Sequence, residues 1–166
     1  YKVAHYEFDA AALMKFSNST LLNSSTENLE TTAYGEQVKK SPRIATYVPF
    51  RNGLMISMAA SFADGLFNGE DVEIFIGVHQ DDAAVSAYAD CSEKFVRAIA
   101  EAVEVGTYGK IKIVAPFVGK TKADVVKIGL ELSAPYELTW SCYDRGETPC
   151  GKCATCIDRA KAFALN

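Results

Sequence analysis

Four of the five cysteines in this 166-residue chain fall in one stretch, Cys142-Tyr-Asp-Arg-Gly-Glu-Thr-Pro-Cys150-Gly-Lys-Cys153-Ala-Thr-Cys156. Cys150, Cys153 and Cys156 make two overlapping CxxC steps, and Cys142 stands far enough upstream for a loop to return and complete a tetrahedron. Four thiolates with no open position describe a structural Zn²⁺ site. Gly146, Pro149 and Gly151 supply the turns, and Cys153 and Cys156 sit three apart at the start of a helix, on one face. A redox pair would leave two cysteines unexplained. Disulfides fit poorly with a chain that shows no secretory segment, and the spacing matches neither ferredoxin pattern.

At 49% apolar content the chain is long enough for a single domain, residues 1–166, with the metal-binding segment at 141–166. A net charge of −4 argues against a general nucleic-acid binder and leaves room for a local basic pocket. No apolar run reaches membrane-spanning length, so the expectation is a soluble, cytoplasmic protein without a membrane partner. Tyr1 opens in mid-pattern, which suggests a segment upstream.

In chain order, Lys2–Phe8 alternates and carries aromatics, which predicts a short strand; His5 within it reads as a packed or surface residue. Asp9 is placed to cap a short helix through about Phe16. Ser17–Ser41 is polar and weakly periodic, which predicts a long loop that is either disordered or a functional arm.

After Pro49 the pattern turns helical, with Asn52 as the expected N-cap and apolar or small residues nearly all round from Leu54 to Phe67. Arg51 would stand at that helix N-terminus, where its charge is tolerated best across an anion; the alternative is a guanidinium reaching solvent. Asp71–Val78 reads as a central strand apolar on both faces, followed by a helix over about Tyr88–Val105, a strand over Lys110–Phe117 and a helix over Lys122–Leu132. This alternation predicts an α/β fold with an open, mainly parallel sheet flanked by helices, and ligands in such sheets lie beyond the carboxyl ends of the strands. Asp81, Asp82, Tyr88 and Asp90 fall at that edge. Cys91 reads as a small buried side chain rather than a nucleophile, since no histidine adjoins it.

Together Val-Pro-Phe-Arg51-Asn52, Gly77-Val78, Tyr88-Ala89-Asp90-Cys91 with Glu93, Phe95 and Val96 behind it, Thr121-Lys122-Ala123-Asp124, Thr139-Trp140-Ser141-Cys142-Tyr143 and the cysteine knot make the chain resemble the 7-cyano-7-deazaguanine synthase family of the queuosine pathway. The resemblance covers nearly the whole chain. It implies an adenine nucleotide alpha hydrolase-like sheet, a PP-loop ATP pyrophosphatase and a carbon–nitrogen ligase. Such an enzyme would use ATP with Mg²⁺ and ammonia to convert 7-carboxy-7-deazaguanine to the nitrile through an acyl-adenylate and an amide. It also implies a structural zinc on Cys142, Cys150, Cys153 and Cys156, and a homodimer.

Carried over by position, Arg51 contacts ATP or the substrate carboxylate and Lys122 steadies phosphate charge, these two being the catalytic candidates. Arg51, Asn52, Tyr88 and Asp90 are the substrate-binding ones, with Asp90 reading the guanidine-like edge of the base. The family's Ser-Gly-Gly-x-Asp-Ser phosphate loop has no counterpart in these residues, so the expectation is an N-terminally incomplete fold, inactive alone. The family's Tyr-Pro-Asp-Cys reads Tyr88-Ala89-Asp90-Cys91 here, preceded by Asp81-Asp82-Ala-Ala-Val-Ser86. Other classes that fit the residues are a different PP-loop ligase or tRNA-modifying enzyme, and a non-catalytic zinc-bearing interaction domain.

Overall fold

Two short runs of β-branched residues pair in parallel: β1 (Val72–Phe75) and β2 (Ile111–Val114), in register Val72 to Ile111 through Phe75 to Val114. The computed structural model that places them describes residues 2–22, 25–41, 43–84, 87–144 and 146–166. The helices, in chain order, are α1 (Ala11–Met14), α2 (Tyr34–Lys40), α3 (Arg51–Phe67), α4 (Gln80–Ala83), α5 (Glu93–Gly106), α6 (Lys122–Glu131) and α7 (Ala154–Ala164). The parallel pair joined through α4 and α5, with helices against it, bears out the α/β reading.

The core has two parts. Ile56, Ala60 and Ala63 of α3 meet Val103 of α5 and Ile111 of β2, with Ile76 and Phe95 packed at the margin. The same Ile76 and Phe95 border a second cluster of Tyr34, Ile44, Val78, Tyr88, Cys91, Val96 and Ala154. Small side chains on α3 let its backbone approach the sheet, and apolar burial there contributes about 25 cal/mol per Å² removed from water. Ser92 caps α5 by accepting from the Phe95 amide. Thr121 and Asp124 form a reciprocal capping box on α6, in which each side chain accepts from the other's amide at 3.1 and 2.9 Å.

Several sequence expectations are corrected. Lys2–Phe8 is not a strand over its described residues; Tyr6 and Phe8 lie on the Phe62 ring of α3, so aromatic packing takes the place of a ladder. Asp9 does accept from the Ala11 amide, but the helix spans only Ala11–Met14. The 17–41 arm is not structureless: α2 forms within it, and Tyr34 and Gln37 are buried because Tyr34 joins the core. Asn52 is not the N-cap of α3. That position belongs to Phe50, at φ 54°, and the helix begins with Arg51.

α3 is buried on one face only, for Met55 is 61% exposed and Leu66 and Phe67 are also open. Likewise Phe75 on β1 is 65% exposed, so that strand is covered on one side rather than both. The β1 ladder stops at Phe75 and the β2 ladder at Val114, and α5 starts at Glu93, after a 3₁₀ turn over Ala89–Cys91.

Candidate active site and metal centre

The ligand atoms of Cys142, Cys150, Cys153 and Cys156 all lie within 4.8 Å of one another, and all four thiols are free of disulfides. A tetrahedral zinc with Zn–S of about 2.3 Å requires S···S separations of about 3.8 Å, so the donor set fits a metal ion with little movement. Gly151, at φ 70°, turns the chain between two of the cysteines, and Cys153 takes the N-cap position of α7.

Backbone amides already point at the sulfurs. Asp144 and Cys150 donate to Cys142 Sγ, and Cys153 donates to Cys150 Sγ, each at 3.3 Å, while the Thr155 hydroxyl lies 3.2 Å from Cys153 Sγ. Burial resists ionisation of Cys153, yet the Thr155 hydroxyl and nearby amides outweigh it and hold that thiol down to about 6. Cys156 is pushed up to about 12 by burial and by its thiol neighbours. Thiolates this close repel one another, and a divalent cation removes that penalty.

Beside this knot lies a cavity of about 310 Å³ whose wall includes Arg51, Tyr88, Lys122, Cys142 and Tyr143. Arg51 opens α3, Lys122 opens α6, and Tyr88 precedes the 3₁₀ turn that leads into α5, so three element starts converge on the cavity. Arg51 and Lys122 therefore share one cavity. Their two cations suit an anionic ligand.

Asp90 and Asn52 are placed differently from the sequence expectation. Asp90 is 3% exposed and lies behind the cavity wall, where its Oδ2 accepts from the Asn52 amide at 2.9 Å. The Asn52 side chain donates to the Asp90 carbonyl and to Cys91 Sγ. The pair locks the first turn of α3 to the 3₁₀ turn and so sets where Arg51 stands. Cys91 is buried and its thiol is pushed up to about 12, which agrees with a packed rather than a reactive side chain.

Two cavity residues, Tyr34 and His79, were not singled out by the sequence, whereas Asp82 was placed at this edge. Tyr34 arrives from α2 and stacks edge-on against Tyr88, their hydroxyls 3.1 Å apart, with the Thr46 hydroxyl 2.9 Å from the Tyr88 oxygen. His79 and Asp82 stand on the wall with Nε2 and Oδ2 3.3 Å apart. Burial pushes the imidazole below its ordinary value against the pull of Asp82. Asp81, by contrast, accepts from the Lys122 amide at 2.7 Å and anchors the start of α6. The Asp-Ala-Ala-Val-Ser run after it reaches Val85 and Ser86, which lie outside the described residues. Tyr34 was hidden by its polar surroundings; a histidine four residues past the end of β1, at the carboxyl edge of the sheet, was the available signal for His79.

A second cavity, of about 630 Å³, is also lined by Tyr143, with Thr20, Ser25 and Asn28 of the arm and Cys150 and Lys152 of the knot. Among the described residues no helix is long and apolar enough to cross a membrane.

A family model described as "Queuosine biosynthesis protein QueC" matches residues 1–166. The chain is 36% identical over 166 residues to a protein of Archaeoglobus fulgidus named 7-cyano-7-deazaguanine synthase, covering 99% of this chain and 65% of that one. It is 45% identical over 122 residues to the protein of that name from Methanosphaerula palustris, covering 72% and 52%, and 40% identical over 148 residues to the one from Desulfotalea psychrophila, covering 89% and 63%. The chain thus spans between about half and two thirds of the length of these relatives. With the match running through the cavity-lining elements and the cysteine knot alike, the chain belongs to the queuosine biosynthesis protein QueC family.

Proposed function

We propose that this chain forms the substrate-activating part of an ATP-dependent carbon–nitrogen ligase that converts 7-carboxy-7-deazaguanine and ammonia to 7-cyano-7-deazaguanine. The observation that carries this reading is the convergence of Arg51 and Lys122 on one cavity against the cysteine knot. The names borne by the relatives supply the product, 7-cyano-7-deazaguanine.

Joining a carboxylate to ATP brings two anions together, so the site must offset their repulsion and the charge that develops on pyrophosphate as it leaves. Arg51 is assigned to the substrate carboxylate or a phosphate, where its planar fork gives a bidentate contact, and Lys122 to phosphate charge. The substrate carboxylate oxygen attacks the α-phosphorus of ATP, pyrophosphate departs, and ammonia then displaces AMP from the acyl carbon to give the amide that precedes the nitrile. ATP would bring Mg²⁺ as its counter-ion. Tyr88 lines the base pocket, while Asn52 and Asp90 take part by fixing the turn that carries Arg51.

Zinc on Cys142, Cys150, Cys153 and Cys156 would be structural, since four thiolates fill its coordination. Cys142 and Tyr143 also form cavity wall, so the knot shapes the site it adjoins. A cytoplasmic homodimer completes the proposal.

The 166 residues contain no Ser-Gly-Gly-x-Asp-Ser run, so the chain by itself is inferred not to turn over ATP. The test is ATP–pyrophosphate exchange driven by 7-carboxy-7-deazaguanine. The complete gene product should catalyse it and the 166-residue chain should not. Exchange by the short chain would refute the second statement, and no exchange by the complete product would refute the first.

A further inference from the structure

The cavity wall carries the cations of Arg51 and Lys122 and one carboxylate, Asp82, but not Asp90, which the sequence nominated to read the base. Asp90 is spent: it is buried outside the cavity wall and its Oδ2 already accepts from Asn52. Asp81 is likewise engaged at the Lys122 amide and is not on the wall. Asp82 is on the wall, its side chain 28% exposed.

Two contacts hold Asp82 in place. Its peptide carbonyl accepts from the Tyr88 amide at 3.1 Å, which closes the segment between these two wall residues and fixes their separation. Its Oδ2 faces His79 Nε2 at 3.3 Å, and the His79 side chain is 11% exposed. His79 Nδ1 is buried without a hydrogen-bond partner among the described residues. A protonated ring would strand a buried N–H there, so the neutral tautomer with its proton on Nε2 is favoured, donating to Asp82. That leaves the Oδ1 lone pairs and the second lone pair of Oδ2 as acceptors, in the cavity that Arg51 and Lys122 also line.

We propose that Asp82, oriented by His79, is the specificity-determining carboxylate that accepts from the ring N–H and the exocyclic amino group of a guanine-type base in this cavity. The inference rests on the function proposed above and deepens it. A guanine-type edge presents two adjacent donors, which a carboxylate matches with two oxygens, whereas an adenine-type edge offers an acceptor at the ring nitrogen. The same cavity thus separates the two ends of the substrate: donors meet Asp82, and the carboxylate meets Arg51 or Lys122. His79 is a positioning residue here, acting through Asp82.

The test compares 7-carboxy-7-deazaguanine with its analogue lacking the exocyclic amino group, in ATP–pyrophosphate exchange by the complete gene product. The wild-type protein should prefer the amino compound by about tenfold or more in kcat/KM, because a site built to accept from that group leaves an unpaired acceptor when it is missing. Asp82→Asn turns an amide N–H against the substrate's donors. It should raise KM for the amino compound by about tenfold while changing the analogue little, so the preference collapses. His79→Asn should reduce the preference part of the way, with the loss appearing in KM rather than kcat.

An unaltered preference in folded Asp82→Asn protein overturns the assignment. So does a wild-type protein indifferent to the amino group, a measurement that needs no variant to fold. Absence of any exchange by wild type with 7-carboxy-7-deazaguanine overturns the proposed function itself, and this inference with it.

Discussion

The backbone amide of Asn52 donates to Asp90 Oδ2 at 2.9 Å, and its side-chain amide returns to the Asp90 carbonyl at 3.0 Å, joining residues 38 positions apart. A carboxylate from a distant turn thus accepts from the first turn of α3, a task more often met by a local capping side chain. Phe50, the residue in the N-cap position, offers no side-chain acceptor and sits at φ 54°.

Asn52→Ala should therefore lower stability by about 1–3 kcal/mol, since it strands a buried carbonyl and leaves Cys91 Sγ without its donor. Urea denaturation at constant slope measures this. Asp90→Ala, which removes the acceptor of the Asn52 amide, should cost a comparable amount, and a variant at either position as stable as wild type would count against the pair.

A metal held by the four cysteines should contribute stability that is lost with it. Cys153→Ser, or chelation of purified protein, should lower stability by at least about 3 kcal/mol, because folding and metal binding share one free energy. In a chain of this size that is a melting shift of roughly 6–12 °C. Metal analysis should give one ion per chain, and melting indifferent to chelator would contradict a structural site.

Arg51→Ala in the complete gene product should weaken an anionic ligand about tenfold or more, the worth of a charge-assisted bidentate contact of about 1.5–3 kcal/mol. Arg51→Lys should restore only part of that, because it keeps the charge and loses the fork. The readout is KM for the carboxylate substrate and for ATP; full rescue by lysine would reduce the role of Arg51 to bulk charge.

His79 gives a pH dependence with a definite sign. Burial pushes its imidazole below the ordinary value of 6.5, helped by Lys122 and opposed by Asp82, Asp81 and Asp158. The unfolded chain then binds the proton first as pH falls. The stability His79 contributes is complete above about pH 6.5 and is lost as pH falls toward the lower folded value. Asp158, raised above 3.8 by burial, works in the opposite sense at lower pH. Comparing wild type with His79→Asn between about pH 7.5 and about pH 5.5 isolates the histidine, and wild type should lose more stability over that interval. Parallel curves would place the ring outside any titration linked to folding.

The cysteine knot was legible from spacing alone, because ligands close in sequence need only local turns, such as the one Gly151 makes at φ 70°, to meet. The parallel pairing of β1 with β2 and the start of α6 at Lys122 were also readable, from strand apolarity and the alternation of strand and helix, whereas α5 starts at Glu93 behind its Ser92 cap and not at about Tyr88. What only the tertiary structure decided is which polar group faces which. Asp90 and Asp82 stand eight positions apart with the same side chain, yet one is consumed by Asn52 behind the wall and the other faces the cavity beside His79. Tyr34 reaches Tyr88 across 54 positions out of an arm whose composition signals only polarity. Local sequence sets the energy of a turn or a helix start, whereas a buried hydrogen bond between distant residues is selected by the packed core that brings them together, and no periodicity carries that choice.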